Sequence, residues 1–232
     1  MTEHPKQPNQ SGQPRANQKI RAVFFDCDGT IVNSEDIFLA VARKVFKKYN
    51  VEISDQFVAE ESFKNNTSQF ELLRRAGFNE AIVDEARRAR DAFYLEGLKR
   101  GVKFLPGMEA VLKFLRGKVK MGIVSNAHKE HLNASINKCG LQNYFDFFVE
   151  HEDVTNYKPA PDCYLLALKK AGVAAENAIV VEDTIRGIIA GKNAGIKSFL
   201  VPSDMTPQSD YHYADKVFKN GNELLEFFKK HI

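Results

Sequence analysis

Two aspartates, one residue apart, follow the first apolar run of this chain. The segment Ile20 to Thr30 reads IRAVFFDCDGT, so Asp26 and Asp28 stand where a short strand would end. Two carboxylates this close repel each other unless a cation lies between them or one keeps its proton. The pair therefore predicts metal-assisted chemistry in which one carboxylate attacks and the other moves protons. An Asp-rich turn after a strand is the alternative interpretation.

Other polar groups also come directly after apolar runs. Ser125 ends MGIVS, where its hydroxyl could bind an anion or simply cap the next helix. Lys158 precedes PAPD, a rigid loop that would present its ammonium, although an exposed lysine is the simpler interpretation. Glu182 and Asp183 end AIVVED, where they offer the oxygen ligands that Mg²⁺ prefers, or an acidic start to a helix.

Short apolar runs alternate with helical patterns over most of the chain. We predict strands at Ala22 to Phe25, Lys120 to Val124, Phe147 to Val149, Ala178 to Val181, Ser198 to Val201 and Lys216 to Phe218. Helices are predicted near Met108 to Leu115, Lys129 to Cys139, Asp162 to Ala171 and Ile185 to Ala194. This alternation predicts an α/β protein with a doubly wound, mostly parallel Rossmann-like sheet. The polar groups above would then meet at the carboxyl edge of that sheet.

The interval 35–105 breaks the alternation because it contains only helical patterns. They cover Ile37 to Tyr49, Asp55 to Ser62, Ser68 to Ala76 and Glu80 to Arg100. We interpret 35–105 as an inserted all-helical cap subdomain on an α/β core of residues 19–34 and 106–232. The cap would begin beside Asp26 and could cover it. Residues 1–18, rich in Pro, Gln and Asn, are predicted to be a disordered tail.

Composition narrows the function classes. The chain has 232 residues and a net charge of +3, with Lys and Arg scattered among Asp and Glu, which predicts no binding of nucleic acid. It contains no long apolar stretch and no secretory signal, so we expect a cytoplasmic protein that makes no membrane contact. Three widely separated cysteines indicate a reducing compartment without disulfides. We expect a monomer.

In this order, DCDGT, SN, KPAPD and EDTIRG resemble the motifs of the haloacid dehalogenase superfamily of phosphotransferases. The resemblance extends over roughly Arg21 to Asp215. Within the superfamily, the chain is similar to phosphoglycolate phosphatases and β-phosphoglucomutase-like phosphatases. It implies that Asp26 is the nucleophile and Asp28 the general acid and base. It also implies that Ser125 and Lys158 clamp the phosphate.

The same resemblance implies a Mg²⁺ site and a reaction. The ligands would be Asp26, the backbone carbonyl of Asp28, and Asp183 with Glu182. Substrate contacts would come from Thr30, Asn126, Phe63 and Lys64. The implied activity is hydrolysis of a small phosphorylated metabolite, a sugar phosphate or a phosphoglycolate-like acid, through an aspartyl phosphate.

A β-phosphoglucomutase-type sugar phosphomutase is the alternative. Phe38 stands where such mutases often carry a histidine, and residues 63–67 lack the arginine with which mutases bind a second phosphate. Both departures favour a hydrolase. Asn33 stands where many relatives place an aspartate near the cap hinge, which leaves the hydrogen bonding of the hinge open.

Three other hypotheses receive less support from the sequence. Lys64 could form a Schiff base as in phosphonatases, but the surrounding motif is missing. His128 and His131 have a spacing that could bind a metal, although solvated residues at a helix start are the simpler interpretation. A binding protein on a phosphatase fold is disfavoured because all the expected catalytic groups are present.

Overall fold

The computed structural model describes residues 19–58, 61 and 67–232. The predicted tail and the predicted substrate contacts Phe63 and Lys64 lie outside these described residues. The strands are β1 (Ala22–Phe25), β2 (Lys120–Val124), β3 (Phe147–Val149), β4 (Ala178–Glu182), β5 (Lys197–Leu200) and β6 (Lys216–Val217). The α-helices are α1 (Ser34–Lys47), α2 (Glu71–Arg75), α3 (Glu80–Gly101), α4 (Met108–Leu115), α5 (Lys129–Cys139), α6 (Asp162–Ala171), α7 (Ile185–Asn193) and α8 (Gly221–His231).

The six strands form one sheet, in the order β3-β2-β1-β4-β5-β6, and every neighbouring pair is parallel. Phe25 of β1 is in register with Ile123 of β2 and Val181 of β4. The backbone N–H of Asp26 continues this pairing and donates to the carbonyl of Val181 at 3.0 Å. The central strands therefore end at one level, with Asp26 between the ends of β2 and β4.

Helices cover both faces of the sheet, which confirms the predicted doubly wound α/β architecture. On one face, Val23, Phe25, Ile123 and Val181 share a core with Leu112 of α4, Leu132 of α5 and Phe228 of α8. On the other face, Phe24, Val124 and Val180 pack with Tyr164 and Ala167 of α6 and Ala190 of α7. Since both faces are buried, the central strands carry continuous apolar runs rather than an alternating pattern.

The patterns place most elements within one or two residues, with three larger differences. Helix α2 begins at Glu71, three residues after the predicted start at Ser68. Helix α1 begins at Ser34, three residues before the predicted start at Ile37. Helix α8 is absent from the predicted elements, although Asn220 is a recognisable N-cap whose side chain accepts from the N–H groups of Asn222 and Glu223. Its apolar residues Leu224 and Phe228 complete the core on one face of the sheet.

The segment between β1 and α4 has a small hydrophobic core of its own. Its described members come from α1, α2, α3 and the chain between them: Ala42, Val45, Phe46, Ile53, Phe57, Val58, Phe70, Leu73, Val83 and Ala86. Helix α3 continues beyond this cluster, because Tyr94 and Leu98 belong to the core on the sheet. The inserted helices thus pack together and are also anchored to the sheet through α3. The predicted domain boundaries stay a prediction.

The two chain segments that lead into and out of the inserted helices pair with each other. Val32 and Phe104 form an isolated antiparallel bridge. The N–H of Asn33 donates to the carbonyl of Lys103 at 3.0 Å, and the Asn33 side-chain oxygen accepts from the N–H of Lys103 at 2.8 Å. Asn33 therefore closes this junction with both its backbone and its side chain.

The cysteines and the helix lengths can be compared with the predicted absence of disulfides and of membrane contact. Cys27 and Cys163 are buried, Cys139 is partly buried, and all three are free thiols. Among the described helices, none combines the length and the apolar character needed to cross a bilayer. The cytoplasmic location and the monomeric state stay predictions.

We expect Asn33→Ala to lower the free energy of unfolding by about 1 kcal/mol, because the Lys103 N–H loses its acceptor. Asn33→Asp keeps an acceptor oxygen and should cost less than half of that. Urea denaturation of the three proteins measures the difference. An equal loss for both substitutions would show that the side-chain bond to Lys103 is not what stabilises the junction.

Candidate active site

A buried lysine holds two carboxylates at the carboxyl edge of the sheet. The side chain of Lys158, on the loop before α6, is only 4% exposed. Its Nζ donates to Asp26 Oδ1 at 2.6 Å, to Glu182 Oε1 at 2.7 Å and to the Val124 carbonyl at 2.7 Å. An ammonium has three protons, so all of them are used. Lys158 therefore ties together the ends of β1, β2 and β4.

Glu182 is fully supplied with donors. Besides Lys158, the Tyr164 hydroxyl donates to Glu182 Oε1 at 2.8 Å, and the Thr184 hydroxyl donates to Oε2 at 3.2 Å. Helix α7 can approach this carboxylate only because it carries Gly187, where an added Cβ would overlap the Glu182 carboxyl group. The glycine in EDTIRG thus makes room for the glutamate at the start of the same motif.

Asp183, the next residue, has one oxygen without a donor. Thr30, which is fully buried, donates its hydroxyl to Asp183 Oδ1 at 2.8 Å. Asp183 Oδ2 is buried and has no hydrogen-bond partner among the described residues. The backbone of Gly29, with φ of +78°, lies against this oxygen, and a Cβ there would come within 2.5 Å of it. Thr30 and Gly29 therefore set the position of Asp183.

Among the described residues, the site contains more buried acidic groups than buried lysines, and the pKa values of Asp26, Asp28 and Asp183 are raised. Burial raises the pKa of Asp26 to about 8, although the neighbouring Lys158 opposes the change. Burial, followed by the nearby Glu35, raises the pKa of Asp183 well above its usual 3.8. Burial also raises the pKa of Asp28, against the effect of the Ser34 hydroxyl. The ionised forms of these groups need more positive charge than Lys158 supplies.

The arrangement suits a hard divalent cation. Asp26, Glu182 and Asp183 each offer a carboxylate oxygen, and these atoms lie within 4.8 Å of one another. Mg²⁺ prefers such oxygen ligands, and the donor-free Asp183 Oδ2 provides one that no protein group occupies. The residues at this edge therefore fit the Mg²⁺ that the family resemblance implies.

Ser125 and Asn126 lie at the end of β2, where the sequence predicts a phosphate contact. The Ser125 hydroxyl accepts from the N–H of Ala127 at 3.0 Å, and Asn126 Oδ1 accepts from the backbone N–H of Lys158 at 3.4 Å. Both residues, like Asp26 and Asp28, line a single cavity. The predicted catalytic and binding residues that the structure describes, apart from the buried Thr30 and Glu182, thus open into one space.

That cavity, of about 640 Å³, lies between the sheet edge and the inserted helices. The helical side contributes both apolar and polar groups: Phe38, Leu39, Phe57, Val58, Tyr94, Glu35, Asp36, Gln69, Arg90 and Asp91. The floor, which carries the predicted catalytic groups, and the roof, which mixes apolar and polar groups, come from different parts of the chain. A substrate would contact both.

Sequence reasoning missed Arg90 and Glu35. The Arg90 guanidinium lies over the ring of Phe38 at 4.9 Å, and its Nε donates to Asp91 at 2.7 Å. In the sequence it belongs to a charge-rich helical pattern that resembles a solvated surface. Glu35 lies five residues after the end of the DCDGT motif, and only that proximity could have drawn attention to it.

The two histidines after β2 differ in their surroundings. His128 is exposed, and its Nδ1 lies 3.2 Å from Glu152 Oε1. His131 lines the cavity and packs edge to face against Tyr94 at 5.1 Å. His128, His151 and Glu152 could together surround a metal ion. However, Glu152 also accepts from the Lys129 N–H at the start of α5, and this capping role already accounts for its position.

Residues 23–201, most of the chain, match the haloacid dehalogenase-like hydrolase family. The 6-phosphogluconate phosphatase of Escherichia coli is 26% identical over 217 residues, which cover 91% of this chain and 96% of that protein. Protein SUPPRESSOR OF QUENCHING 1 of Arabidopsis thaliana is 29% identical over 198 residues, or 81% of this chain but only 18% of that much longer protein.

Solved structures agree with the family match. The β-phosphoglucomutase of Clostridium difficile superposes with a TM-score of 0.73 at 25% identity, covering 91% of this chain and 96% of that one. The predicted resemblance is therefore confirmed, and so is the predicted enzyme class, a phosphoric monoester hydrolase. The chain belongs to the haloacid dehalogenase-like hydrolase family.

Proposed function

We propose that this protein is a Mg²⁺-dependent phosphatase that hydrolyses a small phosphorylated metabolite through an aspartyl phosphate on Asp26. The observation that carries the proposal is the placement of the Asp26 carboxylate. It is held by Lys158 at 2.6 Å, lies within 4.8 Å of Asp183, and lines the floor of the cavity. Such a carboxylate is a positioned nucleophile beside a cation site.

In the first half-reaction, an Asp26 oxygen attacks phosphorus as the bond from phosphorus to the substrate oxygen breaks. Asp28 donates its proton to that departing oxygen. Burial, which raises the pKa of Asp28, favours the protonated form needed for this step. The products are the free alcohol and the phosphorylated Asp26.

In the second half-reaction, Asp28 is ionised and takes a proton from a water molecule. The water oxygen attacks phosphorus, the bond from phosphorus to Asp26 breaks, and inorganic phosphate is released. Asp26 is again a carboxylate and Asp28 is again protonated. One water molecule is consumed for each substrate molecule, and both aspartates are regenerated.

Mg²⁺, when bound, would supply positive charge to the phosphate oxygens and to the crowded carboxylates. Asp26, Asp183 and the backbone carbonyl of Asp28 are the proposed ligands. Glu182, whose oxygens accept from Lys158, Tyr164 and Thr184, supports the site by fixing Lys158. Lys158 in turn orients Asp26, and its own ammonium group would lie next to the transferred phosphate.

Ser125 and Asn126 are the proposed phosphate contacts, since both line the cavity floor. Thr30 is buried, with its hydroxyl bonded to Asp183, so we propose that it acts on the substrate only by positioning Asp183. Phe63 and Lys64 stay predicted substrate contacts. A sugar phosphate or a phosphoglycolate-like acid fits a cavity of about 640 Å³, and the E. coli relative named as a 6-phosphogluconate phosphatase supports this class.

The sugar phosphomutase is not favoured. Phe38 presents an apolar ring to the cavity at the position where mutases often carry a histidine. A mutase would convert a sugar 1-phosphate into its isomer in the presence of a bisphosphate activator. Incubation of β-glucose 1-phosphate with the enzyme should release phosphate or leave the sugar unchanged. Formation of glucose 6-phosphate would decide for the mutase.

We expect Asp26→Asn to reduce release of p-nitrophenol from p-nitrophenyl phosphate below detection, because an amide cannot attack phosphorus. The side chain is nearly isosteric, so the circular dichroism spectrum should match that of the wild type. Asp55→Asn, which changes an aspartate that is 82% exposed, is the control and should keep full activity. Turnover retained by Asp26→Asn would contradict the proposed nucleophile.

The stability of the metal-free protein should fall with rising pH. Folding raises the pKa of Asp26 from 3.8 to about 8, so between these pH values the folded state binds more protons than the unfolded state. The free energy of unfolding therefore decreases as the pH rises through this range. Mg²⁺ should offset the loss, since it binds the ionised form. We therefore expect Mg²⁺ to raise the melting temperature more at about pH 8 than at about pH 6. Calorimetry showing the reverse order would contradict this.

A further inference from the structure

A carboxylate outside the family motifs lies against the cation site. Glu35 is in the first turn of α1, seven residues after Asp28, and is partly buried. Its carboxyl group packs on the backbone of Gly29, where an added Cβ would lie 2.7 Å from Glu35 Cδ. The same Cβ would lie 2.5 Å from Asp183 Oδ2. The carboxyl groups of Glu35 and Asp183 therefore lie close to the same point beside Gly29, and they are neighbours.

The oxygen that Asp183 turns toward this point is the one without a donor. Asp183 is 1% exposed, and among the described residues nothing donates to its Oδ2. Lys158, the one buried lysine among the described residues of the site, cannot help, because its three protons are used by Asp26, Glu182 and the Val124 carbonyl. Two neighbouring carboxylates that lack a shared donor require a cation or a proton between them. Asp183 Oδ2, beside Glu35, is therefore an acceptor to which no described residue donates.

We propose that Glu35 is a further member of the cation site, and that it positions Mg²⁺ beside Asp183 through the ion's water molecules. This inference rests on the proposed function. Mg²⁺ dehydrates reluctantly and usually keeps several waters, which need acceptors. Acceptors outside the direct ligands orient those waters and contribute to metal affinity. Glu35 is a positioning residue in this role, since it touches neither the phosphorus nor the departing oxygen.

A different role for Glu35 must be separated from this one. An acidic residue in the first turn of a helix also stabilises the helix dipole. Glu130 is the matched control, because it is the second residue of α5 as Glu35 is the second residue of α1. Glu130 is exposed and has no part in the proposed site. A dipole effect would be similar for both, whereas a cation effect would be limited to Glu35.

The test is isothermal titration of the full, chelator-treated chain with MgCl₂. We expect Glu35→Gln to weaken the Kd for Mg²⁺ by about 10 to 100-fold, the usual cost of losing an outer-shell partner. Glu130→Gln should bind Mg²⁺ as the wild type does.

Each other outcome is decisive. Equal Mg²⁺ affinity of Glu35→Gln and the wild type, or equal weakening by both glutamine variants, would overturn the role of Glu35 and leave the phosphatase proposal standing. Failure of the wild type to bind Mg²⁺ would instead contradict the proposed function. If Glu35→Gln does not fold, Glu35→Asp replaces it. That variant keeps the charge but shortens the side chain, so unchanged affinity would again overturn the inference.

Discussion

The contact between the Lys158 ammonium and the carboxylates of Asp26 and Glu182 is the interaction on which the site depends. It joins the ends of three strands with bonds of 2.6 to 2.7 Å in a region almost closed to water. Removing one partner of such a buried pair typically costs about 3 to 5 kcal/mol, because a charge is left without compensation. The parallel register of β1, β2 and β4 brings these partners together, so the geometry of the site depends directly on the sheet.

Among the described residues of the site, the buried acidic groups outnumber the buried lysine. One lysine compensates part of a group that includes Asp26, Asp28, Asp183, Glu182 and Glu35, and burial raises the pKa of several of them. Such a cluster lowers the stability of the folded protein. Clusters of this kind are typical of functional sites, where the charges are needed for the chemistry. In our proposal, a cation restores the balance and the same charges then serve phosphoryl transfer.

The inserted helices and the sheet edge contribute different walls of the cavity. The groups that would act on phosphate all come from the sheet edge, while the cavity wall opposite them carries the apolar ring of Phe38 and the guanidinium of Arg90. Helix α3 connects the two parts, because its early residues belong to the insertion's own core and Tyr94 packs against the sheet-side core. Substrate preference would therefore follow from the insertion, whereas the reaction type would follow from the strand ends.

Much of this protein could be predicted from its sequence, since strands buried on both faces leave continuous apolar runs and parallel strands send their carboxyl ends to one edge. That reasoning located the strands, most helices, and the polar residues Asp26, Asp28, Ser125, Lys158 and Asp183. Only the tertiary structure decided how their charges are shared. The sequence does not reveal that Lys158 is consumed by Asp26 and Glu182, that Asp183 keeps an oxygen without a donor, or that Glu35 and Arg90 turn inward. Such pairings depend on distances between segments far apart in the chain, and no local pattern encodes those distances.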